Sequence, residues 1–381
     1  MKIEQWIFTL AYGWNFDEYD KTNFDPQVVL CFIAEKLLTN TEALNSLQSR
    51  YLNADIVYVS TAWEIFDETM HEESISVVAI EFEKTPIKLS YKAVENRNNS
   101  FKIGTEIVQE LAADDLQHIM LFSEWLNVSG MELVRGIETG KSIWITGGLA
   151  WDDGAFEHTC VWLNEVCPEK SMVLWIGFYG ENIQIGRWSI GWWDAFGQKR
   201  IVTKAKDNVI YELDNEPILD LYKKYLWDLA AELPSSGLLF PLEITPPDSK
   251  ESFVRTLLAV NEEEKSVSFA GDVVEGSTAE LMKANFDRLI DGAGKAAEMW
   301  AEFVKHPELA ILISCVGRKL ILKQRTEEEL EIIKEVIGDE TKIAWFYSYG
   351  EIGPNETDMS QCNLHNQTMT LTFFKENLNN A

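Results

Sequence analysis

Ile343-Ala344-Trp345-Phe346-Tyr347-Ser348-Tyr349-Gly350-Glu351-Ile352-Gly353-Pro354, followed by Leu364-His365-Asn366-Gln367-Thr368-Met369-Thr370-Leu371, is the stretch from which the rest of the chain is read. Two runs of β-forming residues bracket a glycine-containing loop that carries the acid Glu351. Tyr347 and Tyr349 precede the acid, and strand alternation puts both on one side. His365 and Asn366 follow it and supply further donors and acceptors. Polar groups held between rigid strands suit the recognition of something small.

Outward from this stretch, one order of elements repeats: helix, strand, acidic loop, strand. Residues 41–51 are predicted as helix and 55–59 as strand; the loop Ser60-Thr61-Ala62-Trp63-Glu64-Ile65 and a strand over 75–82 follow. Residues 131–137 form the next helix and 142–146 the next strand. The loop there is Gly147-Gly148-Leu149-Ala150-Trp151-Asp152-Asp153-Gly154, and residues 158–163 return as strand. The third helix opens on the capping-box pattern Thr326-Glu327-Glu328-Glu329, and Gly338 ends it. Each acidic loop thus falls at the carboxyl end of a strand, the edge where open α/β sheets bind ligands. Trp63, Glu64, Trp151 and Asp152 join Tyr347, Tyr349, Glu351, His365 and Asn366 as candidate ligand contacts.

The fold class is α/β, in two domains with mixed sheets covered by helices and layered α-β-β-α. The break is placed after Tyr211-Glu212-Leu213-Asp214-Asn215, giving domains 1–215 and 216–381. In the second domain a helix over 218–229 leads to Pro246-Pro247, which interrupt regular structure. A hairpin over 253–270 follows, then a long helix that opens on Ser277-Thr278-Ala279-Glu280 and bends at Asp291-Gly292-Ala293-Gly294.

At 381 residues and 46% hydrophobic content, the chain can bury large cores. Its 62 acidic and 33 basic residues leave a formal charge of -29, which repels phosphate backbones and anionic membranes, so nucleic acid is not an expected partner. The apolar run over 172–179 is too short to span a bilayer, and the first residues lack a signal-peptide pattern. The expectation is a cytoplasmic protein without membrane attachment. Cys31, Cys160, Cys167, Cys315 and Cys362 are odd in number and lack CxxC spacing, which fits reduced thiols and argues against zinc.

The three acidic loops, together with Val209-Ile210-Tyr211-Glu212-Leu213-Asp214 and Leu364-His365-Asn366-Gln367-Thr368, resemble the motifs of FIST proteins. They stand in the order of an amino-terminal FIST domain followed by its carboxyl-terminal partner. The resemblance implies a free-standing, bacterial-type sensory protein that binds a small ligand and regulates a separate signalling enzyme. It also implies a sharper alternative, because some members are haem-binding nitric-oxide sensors that act on a histidine kinase or a cyclic-di-GMP enzyme. This chain departs from the family where Trp63 and Trp151 replace glycines. The two indoles read either as a pocket lining for a planar ligand or as filler between domains, and with 14 Trp in the chain filler is the better reading.

Haem b would need an axial donor in an apolar pocket, and His118, His158 and His365 are the candidates. His71 beside Glu72 and Glu73 reads as solvated, and His306 precedes Pro307 in a loop. Relatives often carry histidine or another polar residue where Ile190 stands. Cys167-Pro168 is equally well a turn, and the segment from Asp152 to His158 lacks the spacing of a calcium loop, so no metal is expected. Ser348 or Cys315 could be a nucleophile with His365 as base and Glu351 as its orienting acid. No nucleophile elbow, P-loop or dinucleotide fingerprint accompanies them, and a small-molecule enzyme is the weakest reading.

Overall fold

The computed structural model describes residues 1–16, 23–61, 63–66, 69–138, 143–152, 158–164, 171–191, 193–247, 249, 251–301, 303–355 and 361–378. The strand Val28–Ala34 is apolar throughout and buried at every residue, as befits a strand with a neighbour on each side and both faces covered. It runs parallel to Asp55–Thr61 through the crossover helix Thr41–Arg50, whose first turn is capped by the Asn40 side chain accepting from Ala43 N at 3.1 Å. Ser74–Glu81 pairs antiparallel on the other side of Val28–Ala34, and Lys2–Thr9 pairs antiparallel beyond it.

This unit is built three times. In the second, Leu116–Ser123 and Trp144–Leu149 are parallel across the helix Gly130–Glu138, with Met172–Tyr179 and Ile87–Ala93 completing the order. In the third, Leu309–Cys315 and Lys342–Ser348 are parallel across the helices Val316–Leu322 and Thr326–Ile337, with Met369–Glu376 and Ile183–Ile190 beyond. The three repeats of helix, strand and acidic loop read from the sequence are therefore three β-α-β crossovers, one per six-stranded sheet.

Each unit lends the segment after its crossover to another unit's sheet. The first unit's Trp63–Phe66 pairs with Lys342–Ser348 of the third sheet. The third unit's Glu351–Pro354 pairs with Trp144–Leu149 of the second. The second unit's Val161–Leu163 pairs with Asp55–Thr61 of the first. The exchange is cyclic, so every sheet is finished by a strand from a neighbour. The inner faces of all three sheets share one core, in which Phe32, Phe122 and Phe346 meet with ring centroids 4.6 to 6.4 Å apart. Helices cover the outer faces.

Between Ile183–Ile190 and Leu309–Cys315 the chain makes a nine-stranded sheet with a core of its own, including Val202, Leu242, Leu257 and Phe269. Residue 215 lies inside this sheet, because Val209–Leu213 and Glu216–Pro217 on either side of it pair antiparallel.

Several expectations are corrected. Ser277-Thr278-Ala279-Glu280 does not cap a helix: Thr278–Ala284 is a strand with Ala279 and Leu281 buried, and the helix spans Phe286–Ala301. Period-two burial wins there over a capping pattern. That helix is unbroken at Gly294, where a Cβ would lie 2.8 Å from Ile332 side-chain atoms, so the glycine permits close helix contact rather than a bend. Thr326 and Glu329 form no capping box, since Thr326 Oγ1 donates to Lys323 O at 2.6 Å and Glu329 forms a buried ion pair with Arg318. Gly338 does end the helix, at a φ of 88°. Cys31, Cys315 and Cys362 are free, but Cys160 is disulfide-bonded, against the expectation of reduced thiols only. Its partner lies outside the described residues, as do Cys167, Asp153 and the chain end from 379.

Candidate functional site

Register relates the acidic loops to one another. Val59, Gly148 and Phe346 stand opposite Phe32, Phe122 and Ile313 in the three parallel pairs. These positions face the shared core, and a Cβ on Gly148 would meet Ile313 Cγ2 at 2.7 Å. Two residues on come Thr61, Ala150 and Ser348. Trp151 is therefore the counterpart of Tyr349, not of Trp63, and Glu351 is the counterpart of Glu64. The second unit's equivalent acid is Asp153, and the first unit's equivalent of Tyr349 is Ala62; both lie outside the described residues.

Glu64 and Glu351 are fully buried and held alike. Glu64 accepts from Thr61 Oγ1, three residues before it, and from Ser74 Oγ at 2.6 Å. Glu351 accepts from Ser348 Oγ at 2.6 Å, also three residues before it, and from Thr368 Oγ1 and N at 2.9 and 3.2 Å. Each carboxyl pins the point where an exchanged hairpin leaves its own unit to the residue where the chain returns. Burial pushes both up to about 8, and the hydroxyl donors offset only part of that. Neither acid is placed to meet a ligand directly.

Trp151 and Tyr349, the equivalent pair, wall a cleft of about 170 Å³. Their rings meet edge to face, 5.6 Å apart at 79°. Cys315, Val316 and Gly317, at the turn from strand into helix in the third unit, form its floor, with Leu320 at the rim. The opposite wall is the nine-stranded sheet, through Thr256, Leu257, Leu258 and Ala270, together with Pro234, Ser235 and Leu238. The lining is mainly apolar, and none of these residues carries a charge. Two polar atoms of its lining residues lack a hydrogen-bond partner and have almost no exposed surface: Trp151 Nε1, in a residue 2% exposed, and Thr256 Oγ1, in a residue 4% exposed. Buried polar groups are ordinarily paired, and these two share their lack of a partner with other buried indoles such as Trp162, Trp175 and Trp345, but among the described residues they alone border this cleft from its two walls.

The residues behind the wall hold it rigid. Tyr349 Oη donates to Asp152 Oδ1 at 2.7 Å, and the other oxygen of Asp152 accepts from His158 N at 2.8 Å. Trp151 packs on Trp63 at 4.9 Å and Tyr349 on Trp125 at 4.8 Å. The Lys319 ammonium sits over the Trp63 ring, 2.8 Å from its centroid. Asn366 Nδ2 donates to Tyr349 O at 3.4 Å. Of the candidate contacts read from sequence, Trp151 and Tyr349 line the cleft; Trp63, Asp152 and Asn366 support it. Tyr347 is fully buried against Trp63 and Trp345 and does not reach the cleft. The residues of the nine-stranded sheet carry no local signal, being remote in sequence from the acidic loops. Cys315 to Gly317 could have been found by applying the strand-end rule to the first parallel strand as well as the second.

The histidines do not converge. His118 is fully buried between Phe178 and Phe374, with Nε2 2.8 Å from Thr146 Oγ1; burial, then the nearby Arg187 charge, hold it well below the usual imidazole range. His158 is exposed. His365 borders a separate, polar cavity of about 130 Å³ with Glu243 and Glu251, its Nε2 is 3.2 Å from Gly353 O, and burial lowers it to about 4. None of the three lines the apolar cleft, so no imidazole is placed there as an axial donor for haem. The proposed nucleophile set is likewise not assembled. Ser348 is engaged by Glu351, His365 by Gly353, and burial with Glu351 nearby holds the Cys315 thiol above its ordinary range. Among the described residues no cluster of three or more His, Cys, Asp or Glu is arranged to hold a metal ion.

A three-unit α/β body that closes a small apolar cleft against a second sheet has the form of a ligand-binding protein. Residues 27–216 match the FIST N domain and residues 219–354 the FIST C domain, and the chain belongs to the FIST family. FIST domains are sensory domains for small ligands in signal transduction rather than catalytic ones. The chain is also similar to an uncharacterized protein of Methanocaldococcus jannaschii, 25% identical over 272 residues. That match takes in 64% of this chain and 51% of the relative, so the chain spans about half the length of the curated relative it matches. No helix among the described residues is long and apolar enough to cross a membrane.

Proposed function

We propose that this chain is a cytoplasmic sensor for a small molecule held in the cleft between the three-unit body and the nine-stranded sheet. The observation that carries this reading is the pair of orphaned polar atoms, Trp151 Nε1 and Thr256 Oγ1, one on each wall. A ligand that satisfies both walls binds best when they stand together, and so shifts the population toward that arrangement. Polar ties between the two bodies among the described residues include the ion pair of Arg97 with Asp272 at 3.2 Å, Ser129 Oγ donating to Asp272 at 3.1 Å, Arg255 Nη1 donating to Leu364 O at 3.3 Å, Trp193 Nε1 donating to Gln367 O at 3.4 Å, and Asn355 Nδ2 donating to Glu251. The output in this reading is a separate signalling enzyme, a histidine kinase or a cyclic-di-GMP enzyme, by family resemblance.

The test is a thermal-shift screen of small metabolites on the wild type and on Leu258→Trp, which fills the cleft from its half-buried rim. Hits should stabilise the wild type and lose their effect in the variant, while the variant's own midpoint changes little. Hits that survive in Leu258→Trp would place the ligand elsewhere. A Soret band on adding haemin, lost with His118→Ala or His365→Ala, would replace this reading with haem sensing.

A further inference from the structure

The chemistry of the cleft narrows what can occupy it. We infer that its ligand is an uncharged, flat molecule about the size of a substituted benzene ring, bearing one exposed oxygen or nitrogen acceptor. This rests on the assignment of the cleft as the binding site. Size comes first: about 170 Å³ of space compares with the ~150 Å³ apolar cavity that takes up benzene in an engineered protein. Shape follows from the walls. The Trp151 and Tyr349 rings stand at 79° and make a corner in which a flat ring can lie against one face and present its edge to the other.

Charge is excluded by the lining, which offers no carboxylate, guanidinium or ammonium, and an unpaired ion brought into such a site loses its hydration without return. The acceptor follows from the orphaned atoms. Trp151 Nε1 can only donate, and Thr256 Oγ1 can donate or accept, so one acceptor atom satisfies the indole and the hydroxyl can adjust to either role. Tyr349 Oη is not available for this task, because Asp152 already accepts from it at 2.7 Å.

Calorimetric titration of the full chain with acetophenone, ethylbenzene, benzoate and benzylamine separates these requirements. Acetophenone should bind; ethylbenzene, which lacks the acceptor, should bind about fivefold to tenfold more weakly, the worth of one hydrogen bond. Benzoate and benzylamine should give no measurable binding. Trp151→Phe should weaken acetophenone by about the same factor more than it weakens ethylbenzene, and Thr256→Val provides a second variant should the first unfold. Equal affinity for a charged probe, or acetophenone binding untouched by both variants, overturns the ligand class. If acetophenone binding survives in Leu258→Trp, or no probe binds the wild type, the cleft assignment itself fails.

Discussion

Glu351 and Glu64 keep a proton at neutral pH that a solvated carboxyl has lost. Both are raised from 4.5 to about 8, chiefly by burial. Between those values the folded chain binds more protons than the unfolded one, so stability is greatest at the acid side of the window, falls as pH rises through it, and levels off above about 8. The loss is on the order of a few kcal/mol per group. Urea midpoints should therefore be higher at pH 5.5 than at pH 8.5, and Glu64→Gln or Glu351→Gln should each flatten the slope, since glutamine mimics the protonated acid. Profiles that stay parallel to the wild type would refute the assignment. At this scale the sequence showed that an acid, tyrosines and tryptophans gather near strand ends. It could not show that the acids are internal struts, because the Ser74 and Thr368 hydroxyls that hold them come from other strands.

Among the elements, the helices Ser100–Leu111 and Gly130–Glu138 touch backbone to backbone. A Cβ at Gly104 would fall 2.2 Å from Leu133 O, and one at Gly136 would fall 2.1 Å from Phe101 O. Gly136→Ala should thus cost about 1–3 kcal/mol by overpacking, read from chemical denaturation at constant m. A neutral effect would mean that the helices separate freely. Crossover helices were legible because their periodicity is strong, whereas the strand Val28–Ala34, buried at every residue, has no alternation to read and was missed. The strand Thr278–Ala284 was not legible either, since Ser277 and Glu280 imitate a helix start and only pairing with Leu242–Thr245 reveals the period of two.

For the whole molecule, the cyclic exchange of strands makes the three sheets interdependent. Trp162 of the exchanged strand Val161–Leu163 is fully buried and stacks on Tyr58 at 4.6 Å. Trp162→Ala should cost about 3–5 kcal/mol, and hydrogen exchange should show protection falling together in the first and second sheets. Loss confined to the first sheet would show that the units are independent. Three repeats were readable along the chain, but not their exchange, because a short strand carries no mark of the sheet it will join. The cleft was half legible for the same reason: the Trp151 and Tyr349 wall follows from repeated strand ends, whereas the Thr256 wall is set only by where the inserted sheet docks.

The most direct test of the central claim is the indole ¹H–¹⁵N resonance of Trp151, identified by its loss in Trp151→Phe and followed while acetophenone is titrated into the full chain. A bound acceptor in the cleft should move this resonance downfield and saturably, and the shift should vanish in Leu258→Trp. A saturable shift of other indoles with Trp151 unmoved would contradict the account.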